Sequence, residues 1–179
     1  MDGLSELVIY IERYGYIIIF LCVFLQEIGV PNPITNELVL LFCGFLAYEN
    51  ILNIFKVFLV SVAGDLIGTC LLYAVFYFFS KWLILHGPGW LHLNGKKMQK
   101  LKVKISRKGF PAIITGRMIP FIRGYISVAA GILRIKPRIY LPSVIFSALI
   151  WSGGLVMFGM FFGHYLESVF HFKQYLAIH

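Results

Sequence analysis

Apolar residues in this chain come in long runs rather than in alternation, and the runs are of two kinds. Residues 57–79 carry only Ser61, Asp65 and Thr69 as clearly polar positions, and residues 139–163 carry no charge. Both exceed the roughly 20 apolar residues an α-helix needs to cross a bilayer core, so both are predicted to be spanning helices. Each also holds two glycines four apart, Gly64/Gly68 and Gly159/Gly163, a spacing that lets helix backbones approach closely. Trp82 and Trp90 follow the first run, and Tyr140 and Tyr165 flank the second, as expected of interfacial aromatic residues.

The remaining runs are short or broken. Residues 16–25 are apolar but stop at Gln26-Glu27, so the first helix is predicted to begin further back, near residues 4–7. Residues 38–48 follow Pro31, Pro33 and Glu37, while 110–133 are long enough to span but contain Pro111, Arg117, Pro120 and Arg123. Short or proline-broken apolar segments that carry charge predict re-entrant hairpins, at about 31–52 and 110–133, shaped by Pro31, Pro33 and Pro120.

Composition makes the membrane reading firm. Hydrophobic residues are 59% of the 179 and charged residues only 13%, about half the roughly 25% of a soluble domain. The start, Met1-Asp2-Gly3, lacks a positive n-region, so no signal peptide is expected. The net charge of +8 is concentrated: Lys96, Lys97, Lys100, Lys102, Lys104, Arg107 and Lys108 supply seven of sixteen basic residues. Between membrane segments such a run predicts a cytoplasmic, amphipathic connector rather than a nucleic-acid site. A second hairpin that dips in and returns puts Arg134, Lys136 and Arg138 on that side as well. By parity the first hairpin opens to the other face.

The two halves also echo each other. The first reads Glu27-x3-Pro31 to Glu37, seven residues to Gly44, then twenty to Gly64. The second reads Arg117-x2-Pro120-x2-Arg123, eight residues to Gly131, then twenty-two to Gly153. The expectation is a single all-α polytopic membrane domain over 1–179, an inverted repeat with two opposed re-entrant hairpins. Its first repeat covers about 16–80, the basic connector 81–108 and the second repeat about 109–163.

Five charges then lie at membrane depth: Glu27, Glu37, Asp65, Arg117 and Arg123. Each costs roughly 2.5–3.5 kcal/mol at a helix centre if left unpaired. They must be paired, hydrated in a cavity or, for the acids, protonated. Arginine stays charged and its planar fork matches phosphate, so Arg117 and Arg123 are candidate ligands for a phosphate headgroup. Helix N-termini at the breaks would add backbone donors. Glu27, Glu37 and Asp65 are candidate proton carriers, although Asp65 beside Gly64 also fits a polar helix-packing contact. Structural salt bridges between hairpins are the plainer alternative. Cys22, Cys43 and Cys70 lack C-x-x-C spacing and read as packing residues, and the five histidines show no ligand pattern. No metal or cofactor is expected.

These residues resemble the DedA family, bacterial relatives of the SNARE-associated Golgi, or VTT-domain, proteins. The likeness lies in Gln26-Glu27-Ile28-Gly29-Val30-Pro31-Asn32-Pro33, Glu37-Leu38, Gly64-Asp65 and Ala129-Ala130-Gly131. Its most specific part is Gly116-Arg117-Met118-Ile119-Pro120-Phe121-Ile122-Arg123. The resemblance implies opposed re-entrant hairpins and lipid flipping or scrambling, with undecaprenyl phosphate and phosphatidylethanolamine as substrates and proton-motive force as driver. It places the functional acids at Glu27 and Glu37 and the arginine pair at Arg117 and Arg123. One departure is Asn36-Glu37-Leu38, where many members have an aspartate in a Gly-Asp-Ser-like context.

The expected function is therefore a multi-pass flippase of the bacterial cytoplasmic membrane, moving a phosphate-bearing lipid, foremost undecaprenyl phosphate, with protons. A phosphatidylethanolamine flippase or scramblase is one alternative, and a proton-coupled ion exchanger another. No Ser/His or Cys/His arrangement points to an enzyme. The glycine pairs also permit a homo-oligomer.

Overall fold

The computed structural model describes residues 2–30, 34–86, 109–119, 123–163 and 165. Pro31, Pro33 and Pro120, the basic cluster between Lys96 and Lys108 and the end of the chain lie outside the described residues. Every regular element among the described residues is helical: α1 (Asp2–Glu27), α2 (Asn36–Tyr48), α3 (Ile54–His86), α4 (Phe110–Arg117), α5 (Arg123–Ile132) and α6 (Pro137–Phe161). Two are long and apolar enough to cross a membrane, α3 over Ile54–Ser80 and α6 over Pro137–Phe161. At about 1.5 Å per residue their 27 and 25 residues outreach a hydrocarbon core of about 30 Å. By the same measure α2, α4 and α5, with 13, 8 and 10 residues, extend only about 20, 12 and 15 Å.

Helix α3 runs on to His86, beyond its membrane-length stretch, which ends at Ser80. The first break between helices falls between Glu27 and Asn36. Gly29, at φ 91°, supplies the left-handed residue that ends α1: its N–H donates to Gln26 O at 3.0 Å and Val30 N–H donates to Leu25 O at 3.0 Å. The same closure ends α2 at Asn50 (φ 60°) and α5 at Arg134 (φ 51°).

Packing is crosswise. Helices α1 and α4 lie on the long helix of their own half, α3 and α6 respectively, whereas α2 lies on α6 and α5 on α3. Glycine makes both crossings close. A methyl group at Gly44 would strike the backbone of Val156 and Gly159, and one at Gly131 would come within 2.8 Å of Tyr73 O. The spacing that matched Gly44 with Gly131 thus marks equivalent contacts. It does not hold for Gly64 and Gly153: the first faces Phe20 O of α1, the second the ring of Phe58. Gly68, Gly159 and Gly163 are also used inside the chain, against α1 and α2.

Two apolar cores result. One joins Ile19, Val23, Leu40, Cys43, Leu46, Val57 and Val156; the other joins Tyr73, Ile113, Ala130, Leu133, Tyr140 and Val144. Tyr140, expected at the interface, is wholly buried. Its ring stacks on Tyr73 at 3.9 Å between centroids, because α6 starts at Pro137 and its first turn already packs inward. Antiparallel α3 and α6 pass both cores, and between them each carries polar residues.

If the crossings hold the halves together, Gly44→Ala and Gly131→Ala lower stability by about 1–3 kcal/mol. Gly154 has open space around it, so Gly154→Ala gains about 0.5–1 kcal/mol from helix propensity. Thermal unfolding in detergent reads both effects, and equal losses at all three positions would contradict the crossing role.

Candidate functional site

Midway along α3 and α6, side chains from all six helices meet. Asp65 and Thr69 stand one turn apart on α3, and Ser147 and Trp151 one turn apart on α6. The other contributors sit at helix ends: Glu27 closes α1, Asn36 opens α2, Arg117 closes α4 and Arg123 opens α5, with Ser127 a turn further on. The breaks in the chain therefore deliver charged residues to the interior. Pro111 sits in the first turn of α4, where its missing N–H costs nothing.

Asp65 is the hub. Arg117 Nη2 donates to its Oδ1 at 2.7 Å, and Arg123 Nη2 donates to its Oδ2. Arg117 spends every nitrogen on protein: Nε donates to Ser147 Oγ at 2.9 Å, Nη1 to Ser127 Oγ at 3.0 Å, and Nη2 reaches Thr69 Oγ1 at 3.3 Å. Glu27 completes the set. Its Oε2 lies 3.9 Å from Arg117 Nη2 and its Oε1 lies 3.0 Å from Arg123 Nε. The latter is an ion contact only, since that N–H is not aligned for a hydrogen bond. The Thr69 hydroxyl lies 2.9 Å from Glu27 Oε2 and 3.1 Å from Asp65 Oδ1, and donates to one or the other. The Arg123 guanidinium also lies over the Trp151 ring, 5.4 Å from its centroid.

Two guanidinium charges against two carboxylates make the quartet neutral, and all four are buried, Arg117 and Asp65 at 1% exposure and Arg123 at 8%. The pairing removes most of the cost of placing charge at this depth. The same burial makes each member indispensable to the others, for breaking such a pair from one side costs about 3–5 kcal/mol.

Of the five charges singled out in the sequence, four come together. Glu37 lies half-buried in the first turn of α2, without a hydrogen bond or ion pair among the described residues but near enough to interact electrostatically with Arg123. Its neighbour Asn36 takes the inward place and donates from Nδ2 to Glu27 Oε1 at 3.5 Å. Asp65 holds the centre. Thr69, Ser127, Ser147, Asn36 and Trp151 were not singled out as site residues. The signal was present as spacing, because Ser61/Asp65/Thr69, Arg123/Ser127 and Ser143/Ser147/Trp151 recur every four residues, which puts each set on one helix face.

The description of the VTT domain matches residues 30–161, a span that includes Asp65, Arg117, Arg123 and both long helices but not Glu27. The chain is 26% identical over 155 residues to undecaprenyl phosphate transporter A of Staphylococcus aureus, covering 84% of this chain and 75% of that one. It is 26% identical over 153 residues to the Bacillus subtilis membrane protein YbfM, covering 86% and 93%. A Lactococcus lactis protein named alkaline phosphatase-like is 27% identical over 172 residues, covering 93% and 79%. No solved structure matches significantly. With one family description running over most of the chain, and both long helices and both arginines inside it, the protein is a membrane protein of the VTT-domain, or DedA, family.

Proposed function

We propose that the protein carries a phosphate-bearing lipid, foremost a polyprenyl phosphate such as undecaprenyl phosphate, across the bacterial cytoplasmic membrane, coupled to protons. The observation that carries this reading is the neutral quartet buried halfway along two membrane-length helices. Intramembrane charges of this kind mark substrate and proton pathways. Arginine forks that hold carboxylates hold phosphate by the same geometry. A phosphate and the two carboxylates compete for one pair of cations, and a carboxylate that takes a proton stops competing. Lipid binding and proton uptake are thereby exchanged at one site. The name of the Staphylococcus aureus relative points to the same substrate class.

The architecture we infer for this task is two opposed re-entrant hairpins, α1–α2 and α4–α5, in an inverted repeat. Three helices too short to span a bilayer and the exchange of α2 and α5 between halves support it. The N-termini of α2 and α5 start beside the quartet, and the first-turn N–H groups of a helix favour an anion. Phosphatidylethanolamine is the second reading, because the site offers carboxylates for an ammonium as well as arginines for a phosphodiester. Transport without bond cleavage fits the two serines at the site: Ser147 Oγ donates to Val144 O at 3.0 Å and Ser127 Oγ to Arg123 O at 3.5 Å, and neither acceptor is a base.

The test is reconstitution in liposomes with labelled undecaprenyl phosphate or phosphatidylethanolamine. Wild type accelerates transbilayer movement of one lipid, and Arg123→Ala slows it at least about tenfold, a loss of about 1.4 kcal/mol. Movement no faster than in protein-free liposomes would sink the reading. Glu27→Gln, a mimic of the protonated acid, abolishes the response of transport to an imposed pH gradient; a full response in that variant would remove Glu27 from the coupling. Asp65→Ala leaves two buried arginines short of a partner and costs about 3–5 kcal/mol in detergent stability.

A further inference from the structure

The two arginines of the quartet are not equivalent. Arg117, at 1% exposure, has all three nitrogens hydrogen-bonded to Asp65, Thr69, Ser127 and Ser147. Four of its five N–H groups are thereby engaged with protein. Among the described residues Arg123 hydrogen-bonds through Nη2 to Asp65, and its Nε is a buried donor without a hydrogen bond. The ring under its guanidinium, Trp151, has a second such donor, Nε1. Most buried polar groups in folded proteins are satisfied, and an orphaned donor costs about 1–3 kcal/mol. Two buried donors without hydrogen bonds, on a cation and on the ring it lies over, are complementary to a group that only accepts.

The geometry points to Arg123 and Trp151 as the pair that touches the lipid phosphate, with Arg117 as a positioning residue that never leaves the protein. This rests on the transport reading above and divides its arginine pair into two roles. Trp151 Nε1–H and Arg123 Nε–H each donate to a phosphate oxygen, and the indole face keeps the guanidinium in place. The contact the phosphate displaces is an ion contact without a hydrogen bond, the misaligned approach of Arg123 Nε to Glu27 Oε1 at 3.0 Å. Displaced, Glu27 keeps Thr69 and Asn36 as partners. Arg117 meanwhile ties α4 to α3, α5 and α6, so that Asp65 stays fixed while Arg123 exchanges acceptors.

Trp151 makes the proposal measurable, for the chain has only three tryptophans. A Trp82→Phe/Trp90→Phe protein in lipid nanodiscs reports through Trp151 alone. Farnesyl phosphate shifts its emission saturably, farnesol does not, and Arg123→Ala abolishes the shift. Trp151→Phe keeps an aromatic face but loses the N–H. In the full-length protein it raises the lipid concentration for half-maximal transport about tenfold, with the melting temperature unchanged. Arg117→Lys lowers the melting temperature, but the fraction that remains folded binds farnesyl phosphate with the affinity of wild type. A protein that transports lipid while Trp151 stays silent to farnesyl phosphate overturns this assignment and leaves the transport reading standing. A phosphate-dependent shift without transport supports the assignment and removes transport. Weaker binding in folded Arg117→Lys would show that both arginines touch phosphate.

Discussion

A single carboxylate, Asp65, ties two guanidinium groups by its two oxygens, and the rest of the molecule is arranged so that this can happen in a dry interior. Either arginine alone would be costly at this depth, and Asp65 alone no less so. Together with Glu27 they close into a neutral set that draws in the ends of α1, α4 and α5. The broken helices follow from that need. An unbroken helix presents one face to a given point, whereas two helix ends can aim Arg117 and Arg123 at the same residue from different directions.

The apolar cores flank this centre. Along α3 the order is Val57, Asp65, Thr69, Tyr73, and along α6 it is Val144, Ser147, Trp151, Val156. The quartet thus lies in a middle layer with apolar packing on either side. Because α2 and α5 lie on the long helix of the opposite half, neither half can shift as a block without carrying an arm of the other. The glycine contacts at Gly44 and Gly131 are where that interlock is closest.

Much of this could be read from the sequence. The long runs gave α3 and α6, the proline-broken stretches marked short helices, and the charge census named all four members of the quartet. What could not be read was which polar residues face each other. Glu37 and Asn36 are neighbours at the start of α2, about 100° apart around the helix axis; the charge draws attention to Glu37, while Asn36 is the one that hydrogen-bonds to Glu27. Trp151 looked like one more aromatic residue in an apolar helix, because only the arrival of Arg123 from α5 gives its ring a cation. The arginines look alike in the sequence because the difference lies in their surroundings: Ser127 and Ser147 accept from Arg117, while the Nε of Arg123 has no hydrogen bond.

The neutrality of the quartet has an electrical consequence. Two positive and two negative groups held together feel almost no net force from the voltage across a membrane, whereas one uncompensated charge experiences about 2.3 kcal/mol per 100 mV over the full thickness. Any ion that joined the quartet without a counter-charge would bring that force into play. The set is therefore indifferent to the field only as long as its two cations and two anions stay matched.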